Sequence, residues 1–97
     1  MPRLVRAPAA LRDIDRLHRF LKLKNPHAAM AAVRAIRGGM RILEDEPDIG
    51  RPVEGMDADF RGRLIPYGDS GYVARYRIDG DTAVVLRIRH QKEAGFG

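Results

Sequence analysis

Six arginines in three pairs carry the most chemistry in this sequence: Arg61 and Arg63, Arg75 and Arg77, Arg87 and Arg89. A spacing of two puts side chains on one face of a β-strand. Guanidinium groups grip phosphates and carboxylates through paired hydrogen bonds that an ammonium cannot match. His90 follows the last pair, and imidazole titrates near neutrality, so it is the best proton-transfer candidate beside these cations. Cleaving RNA through its 2′-hydroxyl needs an acid, a base and cations that stabilise the crowded phosphate. His90, Arg77 and Arg87 are the residues to carry that chemistry if this is a nuclease. The same arginines, with Lys92, would serve equally well to hold an acidic polypeptide.

Other chemistries find little support. His18 and His27 lie on helices without ligand spacing, and there is no cysteine, so no metal site is expected. Ser70 is the only serine and falls in a turn, which makes a serine-hydrolase arrangement improbable. No phosphate-cradling glycine loop precedes a helix, and no cofactor is expected.

The elements that must position the arginines can be read from period and punctuation. Residues 2–6 suggest a short strand with Leu4 facing the core and Pro2 favouring an edge. Pro8 suits a first helical turn, and Leu11, Ile14, Leu17 and Leu21 recur at helical spacing, giving a helix over about 8–22. Asn25-Pro26 restarts the chain as cap and first position of a second helix. Its buried stripe is Ala29, Val33, Ile36, Met40 and Leu43, and it ends before Pro47. Gly38-Gly39 within it implies close packing against the first helix, or a bend. Residues 46–60 read as a loop. Three strands follow, at about 60–66, 72–78 and 83–89, joined by Gly68–Gly71 and Asp79–Asp81. The expected fold is α+β, in the order β-α-α-β-β-β: a helical hairpin on one face of a mainly antiparallel sheet.

Strand parity then groups the arginines. Tyr72, Ala74, Tyr76 and Ile78 share one side of their strand, and Val84, Leu86 and Ile88 one side of the next. Phe60 and Leu64 oppose Arg61 and Arg63. If the apolar sides all face the helices, the six arginines emerge together on the open face. Like charges opposed across strands repel, so such a face calls for an anionic ligand. The structural alternative is that Glu54, Asp57 and Asp59 fold over and neutralise it.

The 97 residues carry 44% hydrophobic side chains and a net charge of +5, which suits one small globular domain spanning 1–97. No apolar run is long enough to span a membrane, and the N-terminal stretch has no signal-peptide core. A cytoplasmic location is expected.

The element order, the segment Glu46-Pro47 through Gly50-Arg51-Pro52, and the ending Tyr76-Arg77-Ile78…Val84-Val85-Leu86-Arg87-Ile88-Arg89-His90-Gln91-Lys92-Glu93 together resemble the RelE/ParE superfamily of bacterial type II toxin–antitoxin systems. The resemblance covers nearly the whole chain. It implies a toxin that arrests growth unless an antitoxin neutralises it, such systems serving functions such as plasmid stabilisation. The antitoxin's acidic C-terminal segment would suit loop 46–59 and the groove between helices and sheet. It also implies one of two targets. ParE-like toxins inhibit DNA gyrase, whereas RelE-like toxins are ribosome-dependent endoribonucleases that cut mRNA. Gly71-Tyr72…Tyr76 resembles a RelE segment, but Val73 stands where that segment carries its catalytic arginine. Arg61 and Arg63 match a basic pair on the preceding RelE strand, whereas the chain ends at Phe96-Gly97 without a RelE-type tyrosine. Tyr76-Arg77-Ile78, Arg87 and His90–Glu93 follow the ParE pattern, with Gln91 in place of a glycine. The balance leans to gyrase. A non-toxic basic nucleic-acid-binding domain is the more distant alternative.

Overall fold

The computed structural model describes residues 3–92; Met1, Pro2 and 93–97, and with them the expected role of Pro2 and the motif residue Glu93, lie outside the described residues. The chain forms strand β1 (Arg3–Arg6), helices α1 (Pro8–Lys22) and α2 (Pro26–Asp45), a 3-10 turn over Pro47–Ile49, and strands β2 (Arg51–Pro52), β3 (Phe60–Tyr67), β4 (Ser70–Asp79) and β5 (Thr82–His90). They assemble into one five-stranded sheet in the order β1-β5-β4-β3-β2. Only β1, which pairs with β5, runs parallel; the other pairs are antiparallel.

Both helices start where the sequence punctuates them. Pro8 opens α1 and Pro26 opens α2, positions where a missing N–H costs nothing. Asn25 Oδ1 accepts from the amides of His27 (3.0 Å) and Ala28 (3.2 Å), satisfying two donors that the helix cannot. The core lies between the hairpin and one sheet face: Ile14, Leu17, Ile36, Met40 and Leu43 pack on Ile65, Tyr72, Tyr76, Val85 and Ile88. Gly39 explains half of the glycine pair. A Cβ there would sit 2.6 Å from an Ile65 side-chain carbon, so its close neighbour is β3 and not the first helix. Gly38 meets nothing.

Strand β2 falls in the segment expected to be loop, and its two residues, one of them a proline, leave too little alternation to read. Its partner register, Arg51 to Gly62 and Pro52 to Arg61, extends the sheet by one short edge.

The face assignment of two strands differs from the expectation. In β5 the buried residues are Ala83, Val85 and Ile88, not Val84 and Leu86. A bulge is responsible. Arg75 pairs with Arg87 and Tyr76 with Val85, so Leu86 is the extra residue and parity shifts across it. In β3 the buried residue is Ile65, while Leu64 is 48% exposed. Arg61 and Arg63 share the parity of Ile65 and pair with Tyr76 and Ala74, which are fully buried. They therefore project on the helix side, past the end of the hairpin, and not from the open face.

Candidate functional surface

The open face consequently holds fewer arginines than parity alone implied, and carries apolar residues between them. Arg75, Arg77 and Arg89 share it with Val73, Leu64 and Phe60, their registered or neighbouring partners. Val5, 47% exposed, extends the apolar part across β1, opposite Val84. Arg77 Nη1 lies 3.6 Å from the Asp79 carboxylate, a loose and half-exposed pair. Arg89 Nη1 donates to the carbonyls of His90 and Gln91, both at 3.2 Å, which turns its head toward the end of its own strand.

Arg61 has a different task. Its Nη1 donates to the carbonyls of Asp48 (3.2 Å) and Gly50 (2.9 Å), fastening the loop after α2 to β3. Tyr76 completes the clamp: its hydroxyl donates to Pro47 O at 2.5 Å and accepts from the Gly50 amide at 2.9 Å. Burial pushes the Tyr76 phenol up, against the opposing pull of the Gly50 amide and the charges of Arg61 and Arg63. The glycine of the Gly50-Arg51-Pro52 segment is thereby explained, since a Cβ there would lie 2.5 Å from the Tyr76 hydroxyl. Loop carbonyls thus receive Arg61, where the neutralising alternative had looked to Glu54, Asp57 and Asp59.

Arg87 is likewise drawn away from the open face. Its Nε (2.8 Å) and Nη2 (3.2 Å) donate to the two carboxylate oxygens of Asp13 on α1. The Ile88 amide donates to the same carboxylate at 2.9 Å. Strand β1 ends at Arg6, where the Ala7 amide still reaches Val85 O, and Asp13 takes over as the partner of the β5 edge beyond it. Asp13 is 5% exposed. Burial alone would push its carboxyl up; the Arg87 and Ile88 hydrogen bonds and the charges of Arg87 and Arg16 outweigh that and hold it below the usual carboxylate range. The sequence reading missed Asp13. An acid lying inside the apolar stripe between Ala10 and Leu17 must find a partner when buried, and that was the available signal.

His90 sits on the other side of the sheet from the open-face arginines. It pairs with buried Tyr72, its ring meeting the tyrosine edge-on at 5.4 Å. The Lys92 amide donates to Nδ1 at 3.1 Å, which makes that nitrogen an acceptor. The proton of the neutral ring is then on Nε2, and it is donated to Ser70 Oγ at 2.9 Å. This is the reverse of a nucleophile–base pair, in which the hydroxyl would give its proton to the ring. Both ring nitrogens hold the β3–β4 turn and the end of β5 in place. Arg63 stays on the helix side, and Lys92 follows β5 beside a cleft against α1. Among the described residues, no group of three or more His, Cys, Asp or Glu side chains could hold a metal ion. No helix among them is long and apolar enough to cross a membrane.

A helical hairpin on one face of a mixed five-stranded sheet defines the RelE/ParE fold class, and solved structures share it. The chromosomal ParDE toxin–antitoxin system of P. aeruginosa contains a chain with a TM-score of 0.75 at 24% identity, covering 93% of this chain and 96% of that one. The RelBE2 toxin–antitoxin complex of Mycobacterium tuberculosis gives 0.65 at 24% identity, covering 94% and 100%. In sequence, the toxin RelE3 of Caulobacter vibrioides is 35% identical over 86 residues, 89% of this chain and 90% of the relative. RelE1 of the same organism is 34% identical over 84 residues, 87% of each chain. The sequence model of the ParE toxin of the type II toxin–antitoxin system parDE matches residues 4–95, and the chain belongs to that family. It is the toxin component of a type II toxin–antitoxin system, and its cognate antitoxin is a partner.

Proposed function

We propose that this toxin acts by binding its target, with DNA gyrase as that target, and not by cutting RNA. One observation carries the reading: the proton-transfer candidate and the phosphate-binding candidates lie on opposite faces of the sheet. His90 faces α1 across the sheet from Arg75, Arg77 and Arg89, and both its ring nitrogens are engaged. Arg87, a second nuclease candidate, is committed to Asp13. Val73 occupies the position where the RelE segment has its arginine, and it lies on the arginine face between Leu64 and Arg89. A guanidinium surface broken by valine and leucine suits a polypeptide with acidic and apolar residues better than a scissile phosphate. The residues assigned to target binding are Arg75, Arg77 and Arg89.

The alternative is a ribosome-dependent mRNA endoribonuclease, favoured by the RelE names of the two Caulobacter relatives. Induction of the toxin without antitoxin separates the readings. Gyrase inhibition predicts a DNA-damage response that persists in His90→Gln and weakens in Arg77→Ala. New mRNA ends at ribosomal A-site codons, abolished by His90→Gln, would overturn it.

A further inference from the structure

Gly62, inside β3, is a glycine that neither backbone geometry nor packing requires. Its φ lies outside the left-handed region, and an added Cβ would meet Val73 Cγ1 at 3.9 Å, an ordinary contact. Gly50 and Gly39 differ, since Tyr76 and Ile65 leave no room for a side chain there. A glycine within a strand forfeits packing and costs chain entropy. One that could carry a side chain and does not marks a place where a ligand or another chain approaches the sheet.

Strand register shows what surrounds the gap. On the open face Gly62 lies between Arg51 of β2 and Arg75 of β4. The missing side chain leaves a concavity of about 420 Å³, walled by Ile49, Val53, Leu64 and Val73. Arg51 and Arg63 complete it, Arg63 from the far side of β3 where the pairing with β2 ends. Arg63 Nε is buried without a hydrogen-bond partner, and Arg51 is exposed. Among the described residues that line the concavity there is no carboxylate and no aromatic ring.

These features define the occupant. Aliphatic walls suit an apolar side chain, and a guanidinium at the rim suits a carboxylate beside it. A nucleotide base would want an aromatic platform, which the walls lack. A second copy of this chain, itself carrying a net charge of +5, would bring like charge to a cationic rim. The concavity is continuous with the face that carries Arg75, Arg77 and Arg89, so it meets the same partner.

We propose that the gap at Gly62 seats an apolar side chain of the toxin's protein target, with Arg51 holding a carboxylate next to it. The inference rests on the reading that the toxin acts by binding gyrase, and it extends that binding surface to Gly62 and Arg51.

Filling the gap from the toxin's own side tests it. Gly62→Val should melt at or above the wild-type temperature, because valine favours strands, yet inhibit supercoiling by purified gyrase about tenfold less potently. Gly62→Ala fills part of the gap and should fall between the two. Arg51→Glu should weaken inhibition about tenfold at low salt, with the difference shrinking as salt rises. Gly38→Ala, a glycine replacement on the helical side, should inhibit like wild type. Antitoxin affinity, read by fluorescence anisotropy, should stay within about twofold of wild type in Gly62→Val. If Gly62→Val melts early, Gly62→Ala and Arg51→Glu decide the matter. Wild-type potency in the folded gap variants would overturn the proposal and leave the gyrase reading in place. A loss of antitoxin affinity matching the loss of inhibition would also overturn it, by giving the gap to the antitoxin. Gyrase left active by wild-type toxin would remove the target reading and this site with it, an outcome that the wild-type reaction alone reports.

Discussion

Removing the Asp13 carboxylate should destabilise the toxin far more than removing an ordinary surface ion pair. Asp13→Ala leaves the Ile88 amide without its acceptor at a buried sheet edge, at a cost of about 1–3 kcal/mol. The lost Arg87 contacts add little, because that side chain is 46% exposed and its guanidinium can return to water, worth about 0–1 kcal/mol. The two add to about 1–4 kcal/mol, and the midpoint of about 2.5 kcal/mol lowers the melting temperature by about 10–20 °C for a domain of this size. Asp13→Asn keeps an acceptor for the Ile88 amide and forfeits the charge, so it should cost about half as much. Arg87→Ala should show clear coupling to Asp13 in a double-mutant cycle. Urea unfolding followed by circular dichroism measures all of these. Acid adds a signature. The folded-state pKa of Asp13 is depressed, so its contribution is present above the ordinary value of 3.8 and is lost as pH falls through the depressed one. The gap between wild type and Asp13→Asn should therefore close on acidification below about pH 4. Unfolding midpoints for Asp13→Ala within about 0.5 kcal/mol of wild type would refute this account of the β5 edge.

The glycine pair of α2 should split in sign. Gly38→Ala meets open space and should stabilise by about 0.5–1 kcal/mol, whereas Gly39→Ala drives a Cβ into Ile65 and should destabilise by about 1–3 kcal/mol in the same unfolding assay. Tyr76→Phe deprives Pro47 O and the Gly50 amide of one partner and should cost about 1–3 kcal/mol. Because the folded-state pKa of Tyr76 is raised, its contribution is intact below 10.0 and falls as pH climbs toward the raised value, a loss that Tyr76→Phe should not show.

The helices were legible because prolines, an asparagine cap and a 3.6-residue stripe agree, and their observed bounds fall on those residues. The three long strands were legible for a similar reason: turn glycines bracket alternating runs. Tyr72, Ala74 and Tyr76 are buried as their parity implied, but which face β3 and β5 bury was not legible. Ala83-Val84-Val85-Leu86 is apolar at every position, so parity carries no information there, and the bulge at Leu86 leaves no mark in composition. Arg61 and Arg63 defeated the parity rule differently. They point to the helix side beyond the hairpin's cover, where loop carbonyls receive Arg61 in place of an apolar layer. The six arginines were read as one anion-binding face, but only Arg75, Arg77 and Arg89 remain on one open surface. Arg87 needed Asp13, seventy-four positions away, to be understood.

Supercoiling of relaxed plasmid by purified gyrase, with increasing toxin and with or without the antitoxin, tests the central claim most directly. Inhibition is expected, reversed by antitoxin, retained by His90→Gln and weakened by Arg77→Ala. Full supercoiling at saturating toxin, while the same preparation generates A-site cuts in mRNA on purified ribosomes, would contradict it.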